Sequence, residues 1–259
     1  MKTLKKTLIN LILVSGVILA FAQCTKESST DDTLSLDDTK SIIEEITSQD
    51  TTIGGCDSIF LMGTPGTCSV NLFSYINTLP VEPLNASEIS SLTTMREEEL
   101  LAQDVYVMLY SIYNVPVFNN ISKAETQHAT AVQTLLHKYS LPDPALNHVA
   151  GYYANSELQA LYASLVSQGS TSLSAALIVG ATIEDLDIND LHNHSLIDID
   201  NLDVLFVFNN LEKGSRNHLR SFYRLITATG GTYTPQFISL EYFNDIVSTP
   251  HETGLASTN

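Results

Sequence analysis

Four long segments of this chain repeat apolar residues every three or four positions, which is the period of an amphipathic helix. They run from Ser87 to the Asn114-Val-Pro116 break, from Ile121 to Tyr139, from Leu173 to Leu191, and from about Asp198 to the Gly230-Gly231 pair. Helices this long must pack against one another to bury their apolar stripes. No strand pattern of comparable length competes with them. The sequence therefore predicts an all-α fold, a four-helix bundle with one long crossover connection at residues 141–171.

Each apolar stripe contains, near its middle, an acidic residue or a histidine that can bind a metal ion. These candidates are Glu99, Glu125 with His128, Glu184 with Asp187, and Glu212 with His218. Glu125 and His128 are three residues apart and therefore share one face of their helix. Buried carboxylates this close to each other have raised pKa values unless a cation balances their charge. Carboxylate oxygens and imidazole nitrogens suit Fe, Mn or Zn, so the pattern predicts a metal site.

These positions resemble the ferritin-like superfamily, and the rubrerythrin branch most closely. The matching residues are Glu99 with Ala102 and Tyr106, Glu125 with His128, Glu184 with Asp187, and His218 with Arg220 and Phe222. The segments MREEELLAQDVY, GSRNHLRSF and TYTPQF also resemble an uncharacterised ferritin-like family, domain of unknown function 2202, over roughly residues 87–247. Tyr106 is expected to pack in the core or to bond to a carboxylate.

The resemblance implies an iron site, but one position departs from the pattern. Ser215 stands where a complete di-iron fourth helix carries Glu, three residues before its histidine. A complete site uses four carboxylates and two histidines. Asp187 and Glu212 are the candidate replacements for the missing carboxylate. One iron ion, an asymmetric pair and a full dinuclear centre therefore all remain open, and Mn or Zn is not excluded.

Three functions are compatible with these residues. The resemblance implies an oxidoreductase that reacts with peroxide or dioxygen, with an external electron donor because the chain lacks a rubredoxin-like cysteine module. The alternatives are a protein that binds metal without catalysis and a metal-free interaction module. In that last case, hydrogen bonds from Ser215, Arg216 and Asn217 would close the acidic cluster.

The N-terminal residues 1–23 have the pattern of a signal peptide, because Lys2, Lys5 and Lys6 precede an apolar run. Cleavage before Gln23 and cleavage before Cys24 are both compatible with the sequence. In the second case Cys24 resembles the lipid-bearing cysteine of a bacterial lipoprotein. We therefore expect a cell-envelope protein that faces the periplasm or the exterior and is held to the membrane by a lipid anchor.

Residues 24–85 are expected to form a tether and an irregular segment closed by a disulfide between Cys56 and Cys68. The bundle is expected at 86–230 and a C-terminal extension at 231–259. Short helices are predicted at 39–47, 156–166 and 239–247. The formal net charge of -17 argues against a nucleic-acid partner. A homodimer is compatible with this fold.

Overall fold

The computed structural model describes residues 35–49, 75–197 and 199–256, which contain seven helices and no β-strand. The helices are α1 (Leu36–Gln49), α2 (Ala86–Tyr113), α3 (Pro116–Lys138), α4 (Ser156–Gly169), α5 (Leu173–Ile197), α6 (Leu202–Ala228) and α7 (Leu240–Ser248). The prediction of an all-α fold is confirmed. The signal peptide, Cys24 and the Cys56–Cys68 pair lie outside the described residues. Among the described residues, no helix combines the length and the apolar character needed to cross a membrane.

Local capping explains where α2 begins. The Asn85 side chain accepts hydrogen bonds from the backbone N–H groups of Ser87 and Glu88, and the Glu88 carboxylate accepts one from the Asn85 N–H. This reciprocal pair is a capping box, which satisfies N–H groups that the first helical turn leaves open. The predicted helical segment began at Ser87, and the cap lies two residues earlier, at Asn85. At the other end, Asn114 adopts a left-handed conformation with φ of 53° and ends the helix.

The four long helices pack side by side. Helix α2 lies along α3 and α5 lies along α6, while further contacts join α3 to α6 and α2 to α5. Helices α2 and α5 run in opposite directions. At the end of α2, Tyr113 donates to the carbonyl of Gly169, the last residue of α4, shortly before α5 begins. Near the start of α2, Ser91 Oγ lies 2.8 Å from Nδ1 of His194, which is close to the end of α5. The apolar pattern predicted this helix only as far as Leu191, whereas α5 continues to Ile197 and includes His194.

A buried carboxylate holds the crossover between α3 and α5 against α2. Oδ2 of Asp104 accepts hydrogen bonds from the Gly151 N–H at 2.7 Å and the Tyr153 hydroxyl at 2.7 Å, and it lies 2.8 Å from His148 Nε2. A buried carboxylate needs such partners, because water cannot reach it. Asp104 therefore fixes where the long connection crosses the outside of α2.

The interior contains two apolar cores. The first core is built around the rings of Tyr106, Phe118 and Phe222, whose centroids lie 5.5 to 6.5 Å apart. The second core includes Leu92, Met95, Val132, Leu135, Leu191, Val204, Phe208 and Leu211. Each of the four long helices contributes residues to both cores. On α2, α3 and α6 the predicted polar residues fall between the two contributions, and on α5 they lie close to the end of the first one, next to Ile188. Together they form a polar layer between the cores.

Gly180 allows α5 and α6 to approach each other closely. A Cβ atom at this position would overlap the ring of Phe222, which is fully buried in the first core and has no free space to move into. Close packing therefore explains a glycine at this position in the middle of a helix, where glycine otherwise lowers stability.

We expect Gly180→Ala to lower the free energy of unfolding by about 1–3 kcal/mol, because the added methyl group overpacks the first core. Urea denaturation measures this change. Ser174→Ala, at an exposed position of the same helix, is the matched control and should change stability by less than about 0.5 kcal/mol. A Gly180→Ala protein as stable as the wild type would contradict the close packing of α5 on α6.

Candidate metal centre

The polar layer contains two overlapping groups of side chains that could hold metal ions. The first ligand group is Glu99, Glu125 and His128, and the second ligand group is Glu125, Glu184 and His218. Within each group, one ligand atom from each residue lies within 4.8 Å of the others. The four helices α2, α3, α5 and α6 each contribute to the cluster, and Glu125 of α3 belongs to both groups.

Glu125 lies between the two histidines. Its Oε2 is 2.7 Å from His128 Nδ1, and its Oε1 is 2.9 Å from His218 Nδ1. The two imidazole rings are stacked, with centroids 5.6 Å apart. Although these distances are short, neither Glu125 oxygen meets a donor with hydrogen-bond geometry among the described residues. Oxygen and nitrogen atoms that lie this close together without hydrogen-bond geometry are suitably placed to bind one ion between them.

Each histidine also faces a second carboxylate. His128 Nδ1 is 3.1 Å from Glu99 Oε2, and His218 Nδ1 is 3.3 Å from Glu184 Oε2. All five side chains are at most 1% exposed. The cluster therefore consists of three carboxylates and two imidazoles in an interior from which solvent is excluded.

Tyr106 and Phe222 enclose the second ligand group on the side of the first core. The Tyr106 hydroxyl donates a short hydrogen bond to Glu184 Oε1 and also lies 3.3 Å from the Gly180 carbonyl. Burial and the Glu184 charge raise the pKa of Tyr106 well above its usual value, so the hydroxyl keeps its proton. Both expectations for Tyr106, core packing and a bond to a carboxylate, are confirmed.

The electrostatics of the cluster reflect burial and mutual interaction. Burial raises the pKa of Glu99 to about 8, although His128 partly opposes this effect. Burial raises the pKa of Glu184 as well. Burial would also raise the pKa of Glu125, but the two histidines on either side hold it well below its usual range. Burial lowers the pKa of His128, but the carboxylates of Glu125 and Glu99 outweigh it and raise the value to about 10.

Asp187 lies beside the cluster without joining either ligand group. It is buried, and no donor reaches its Oδ2 among the described residues. Burial, followed by repulsion from the carboxylates of Glu99, Glu184 and Glu125, raises its pKa well above the usual value. Asp187 is thus close enough to interact electrostatically with all three carboxylates.

Glu212 lies outside both ligand groups. Its Oε1 accepts a hydrogen bond from the Tyr242 hydroxyl at 2.8 Å, and it lies 2.9 Å from Arg216 Nη1 and 3.5 Å from His192 Nδ1. Glu212 therefore faces α7 and the end of α5. His192 lies just beyond Leu191, where the predicted segment ended, and it belongs to α5.

The side chains that would close the cluster in a metal-free protein bond elsewhere. Ser215 donates to the Leu211 carbonyl, and Arg216 pairs with Glu252. Asn217 donates to the Glu252 carbonyl. The hydrogen bonds and ion pairs of Ser215, Arg216 and Asn217 named here therefore go to residues outside the two ligand groups.

Comparison with known proteins identifies the family. Residues 88–250 match the family described as Uncharacterized protein domain (DUF2202). The chain belongs to the DUF2202 family. A relative from Methanocaldococcus jannaschii, Uncharacterized protein MJ0754, is 46% identical over 184 residues, which cover 71% of this chain and 99% of the relative.

A solved structure resembles this DUF2202 protein in fold. The crystal structure of hypothetical protein MJ0754 from Methanococcus jannaschii superposes with a TM-score of 0.66 at 46% sequence identity. The match covers 67% of this chain and 99% of that chain. The helical fold described here is therefore shared with an experimentally determined DUF2202 relative.

In the metal-free protein, we expect stability to fall as pH rises from about 5 to 8. The folded state raises the pKa of Glu99 from 4.5 to about 8, so between these values it holds a proton that the unfolded chain has lost. Stability decreases with pH wherever the folded state binds more protons. His128, with its pKa raised from 6.5 to about 10, acts in the same direction above pH 6.5.

Urea denaturation in the presence of a chelator, at pH 5, 6.5 and 8, measures this dependence. Glu99→Gln removes one of the responsible carboxyl groups and should flatten the curve between pH 5 and 6.5. Stability that rises with pH over this range would contradict the proposed protonation of the buried cluster.

Proposed function

We propose that this protein binds iron, as one or two ions, through Glu99, Glu125, His128, Glu184 and His218 in the core of a ferritin-like four-helix bundle. The observation that carries the proposal is the position of Glu125, whose two oxygens each approach a histidine Nδ1 without hydrogen-bond geometry. Asp187 is a further carboxylate within electrostatic range of the same cluster. Mn or Zn would fit the same oxygen and nitrogen atoms.

The distribution of ligands over the helices supports a ferritin-like site. Such sites take one glutamate from each of two helices and a Glu-x-x-His motif from each of the other two. Glu99 on α2 and Glu184 on α5 supply the single glutamates, and α3 supplies Glu125 with His128. Helix α6 supplies only His218, because Ser215 occupies the remaining ligand position and bonds to its own helix. The cluster as a whole is consequently one carboxylate short of a complete site.

Charge balance also supports a bound cation. Glu99, Glu125 and Glu184 are buried together, and no donor reaches Glu99 Oε1 among the described residues. Buried charge without compensation is costly, so without an ion Glu99 keeps a proton, and a bound cation would take the place of that proton. Because the side chains proposed to close the cluster in a metal-free protein bond elsewhere, a metal-free interaction module is the least supported of the three functions.

Iron bound here would exchange electrons with a small oxidant such as peroxide or dioxygen, with an external electron donor completing the reaction. The chain itself supplies the environment. The Tyr106 hydroxyl holds Glu184 in one orientation. The aromatic rings of Tyr106, Phe118 and Phe222 exclude water on the side of the first core.

Metal binding without catalysis is the second candidate function. It is favoured by the complete burial of all five ligands, since an enclosed ion is retained well but is reached only by very small reactants. The two candidates use the same residues and differ in turnover. We place either function in the bacterial cell envelope, on a lipid anchor at Cys24, on the basis of the N-terminal sequence pattern.

The first test is the metal content of the purified protein before and after anaerobic loading with Fe²⁺. We expect one or two iron ions per chain, and a value near two would indicate that the second ligand group binds an ion despite Ser215. The double variant Glu125→Ala with His128→Ala should bind none, because it removes the shared carboxylate and one histidine.

Gln127→Ala is the matched control, since Gln127 lies next to His128 on α3 but is exposed. It should retain the iron content of the wild type. Wild-type protein that binds no iron, manganese or zinc would overturn the proposal. Adding hydrogen peroxide to the reduced, iron-loaded protein then separates the two candidates, because only an oxidoreductase consumes peroxide repeatedly while a donor is present.

A further inference from the structure

The C-terminal clamp, residues 233–256, contacts the outside of the two helices that carry Glu184 and His218. On α5, its attachment point is Asp185, the neighbour of Glu184. The Asp185 carboxylate accepts hydrogen bonds from the Tyr233 hydroxyl at 2.8 Å and from the backbone N–H groups of Gln236, Phe237 and Ile238 at 2.5, 3.2 and 2.9 Å. Four hydrogen-bond donors to one buried carboxylate fix the position of the Asp185 side chain and of the α5 backbone that carries it.

On α6, the attachment point is Asn217, the neighbour of His218. The Asn217 side chain donates to the Glu252 carbonyl at 3.0 Å and accepts from the Glu252 N–H at 2.9 Å. The Glu252 carboxylate pairs with Arg216 through two 2.7 Å contacts and with Arg220 at 3.0 Å. The clamp therefore binds Arg216, Asn217 and Arg220 of α6. Each of them is one or two positions away from His218 in the sequence.

On both sides of Glu252, the clamp follows one stripe of α6. Thr249 contacts Arg220, the Gly254 carbonyl accepts from Lys213, and the Ala256 N–H donates to Asn210. Together with Asn217, these helix positions recur at intervals of three and four and so define one face. That face points away from the interior, because the inward stripe contains Leu211, Ser215, His218 and Phe222. Helix α6 is thus held from outside along the length that presents His218 to the interior.

The first ligand group has a different support. Glu99 is on α2 and His128 is on α3, whereas the hydrogen bonds of Asp185 and Asn217 join residues 233–256 to α5 and α6. The clamp therefore attaches to both helices that carry the ligands unique to the second ligand group. The second ligand group has three protein ligands, so an ion bound there depends on the position of each of them.

We propose that the C-terminal clamp positions Glu184 and His218 and thereby sets the affinity of the second ligand group for its metal ion. This inference rests on the proposed metal binding. Glu252 and Asp185 act as positioning residues: they fix the rotation of α6 and α5 from outside without touching the ion. Residues that orient metal ligands in this way typically change metal affinity about 10- to 100-fold when they are replaced.

The test is a titration of the metal-free full-length protein with Co²⁺, followed by its visible absorption, which reports both affinity and coordination. Glu252→Gln removes the ion pairs with Arg216 and Arg220. We expect it to weaken Co²⁺ binding by about tenfold and to alter the absorption spectrum. Asp185→Asn should have the same effect through Glu184.

A double-mutant cycle with His218→Ala tests whether the effect acts through the ligand. We expect Glu252→Gln to have no further effect on Co²⁺ affinity or on the spectrum once His218 is absent. If Glu252→Gln changes Co²⁺ binding equally in the presence and absence of His218, or in neither case, the role of the clamp is overturned while the proposed metal site is not. Failure of the wild-type protein to bind Co²⁺ would instead overturn the proposed metal site, and the clamp's role with it.

Asp203→Asn is the control for general loosening of α6. Asp203 lies at the other end of that helix, where its carboxylate contacts Lys138 at 2.6 Å and the Tyr139 hydroxyl at 2.8 Å. We expect this variant to lower the melting temperature while leaving Co²⁺ affinity unchanged. If Asp203→Asn weakened Co²⁺ binding as much as Glu252→Gln does, the specific positioning role would be overturned.

Discussion

Mutual repulsion among buried carboxylates is the constraint on which the rest of this structure depends. Glu99, Glu125 and Glu184 lie in a layer between two apolar cores, where solvent cannot screen their charges. His128 and His218 compensate part of the negative charge, because each imidazole lies between two carboxylates. Polar anchors at Asp104 on α2, Asp185 on α5 and Asn217 on α6 hold three of the four ligand-bearing helices from their outer faces.

The sequence predicted the helices and most of the cluster because both depend on short-range periodicity. Apolar residues three and four apart are sufficient to identify a helix face, and a Glu-x-x-His spacing places Glu125 and His128 on that face. Glu99 and Glu184 follow from the same rule, since each lies in its own apolar stripe. Whether these residues bind an ion is a separate question, which periodicity does not answer.

The fourth helix shows where periodicity becomes ambiguous. Glu212 and His218 lie on either side of the inward stripe, so a small rotation of α6 could favour either residue. The choice is made by Tyr242 and Arg216, which bond to Glu212 and hold it on the side of α7. The Tyr242 contact joins residues 30 positions apart and leaves no local signal in the sequence, whereas the Arg216 contact lies within one turn of the helix. Asp185 is a similar case, because its donors at 233–238 are known only after folding.

The separation of the two apolar cores has a consequence for how this protein can change over time. Phe118 belongs to the first core and Val132 to the second, and among the described residues these cores are separate groups of buried apolar side chains. Effects of substitutions at distant, independent sites are usually additive. Each half of the interior can therefore accumulate compensating substitutions on its own, and the ligand layer can persist while the packing on either side of it diverges.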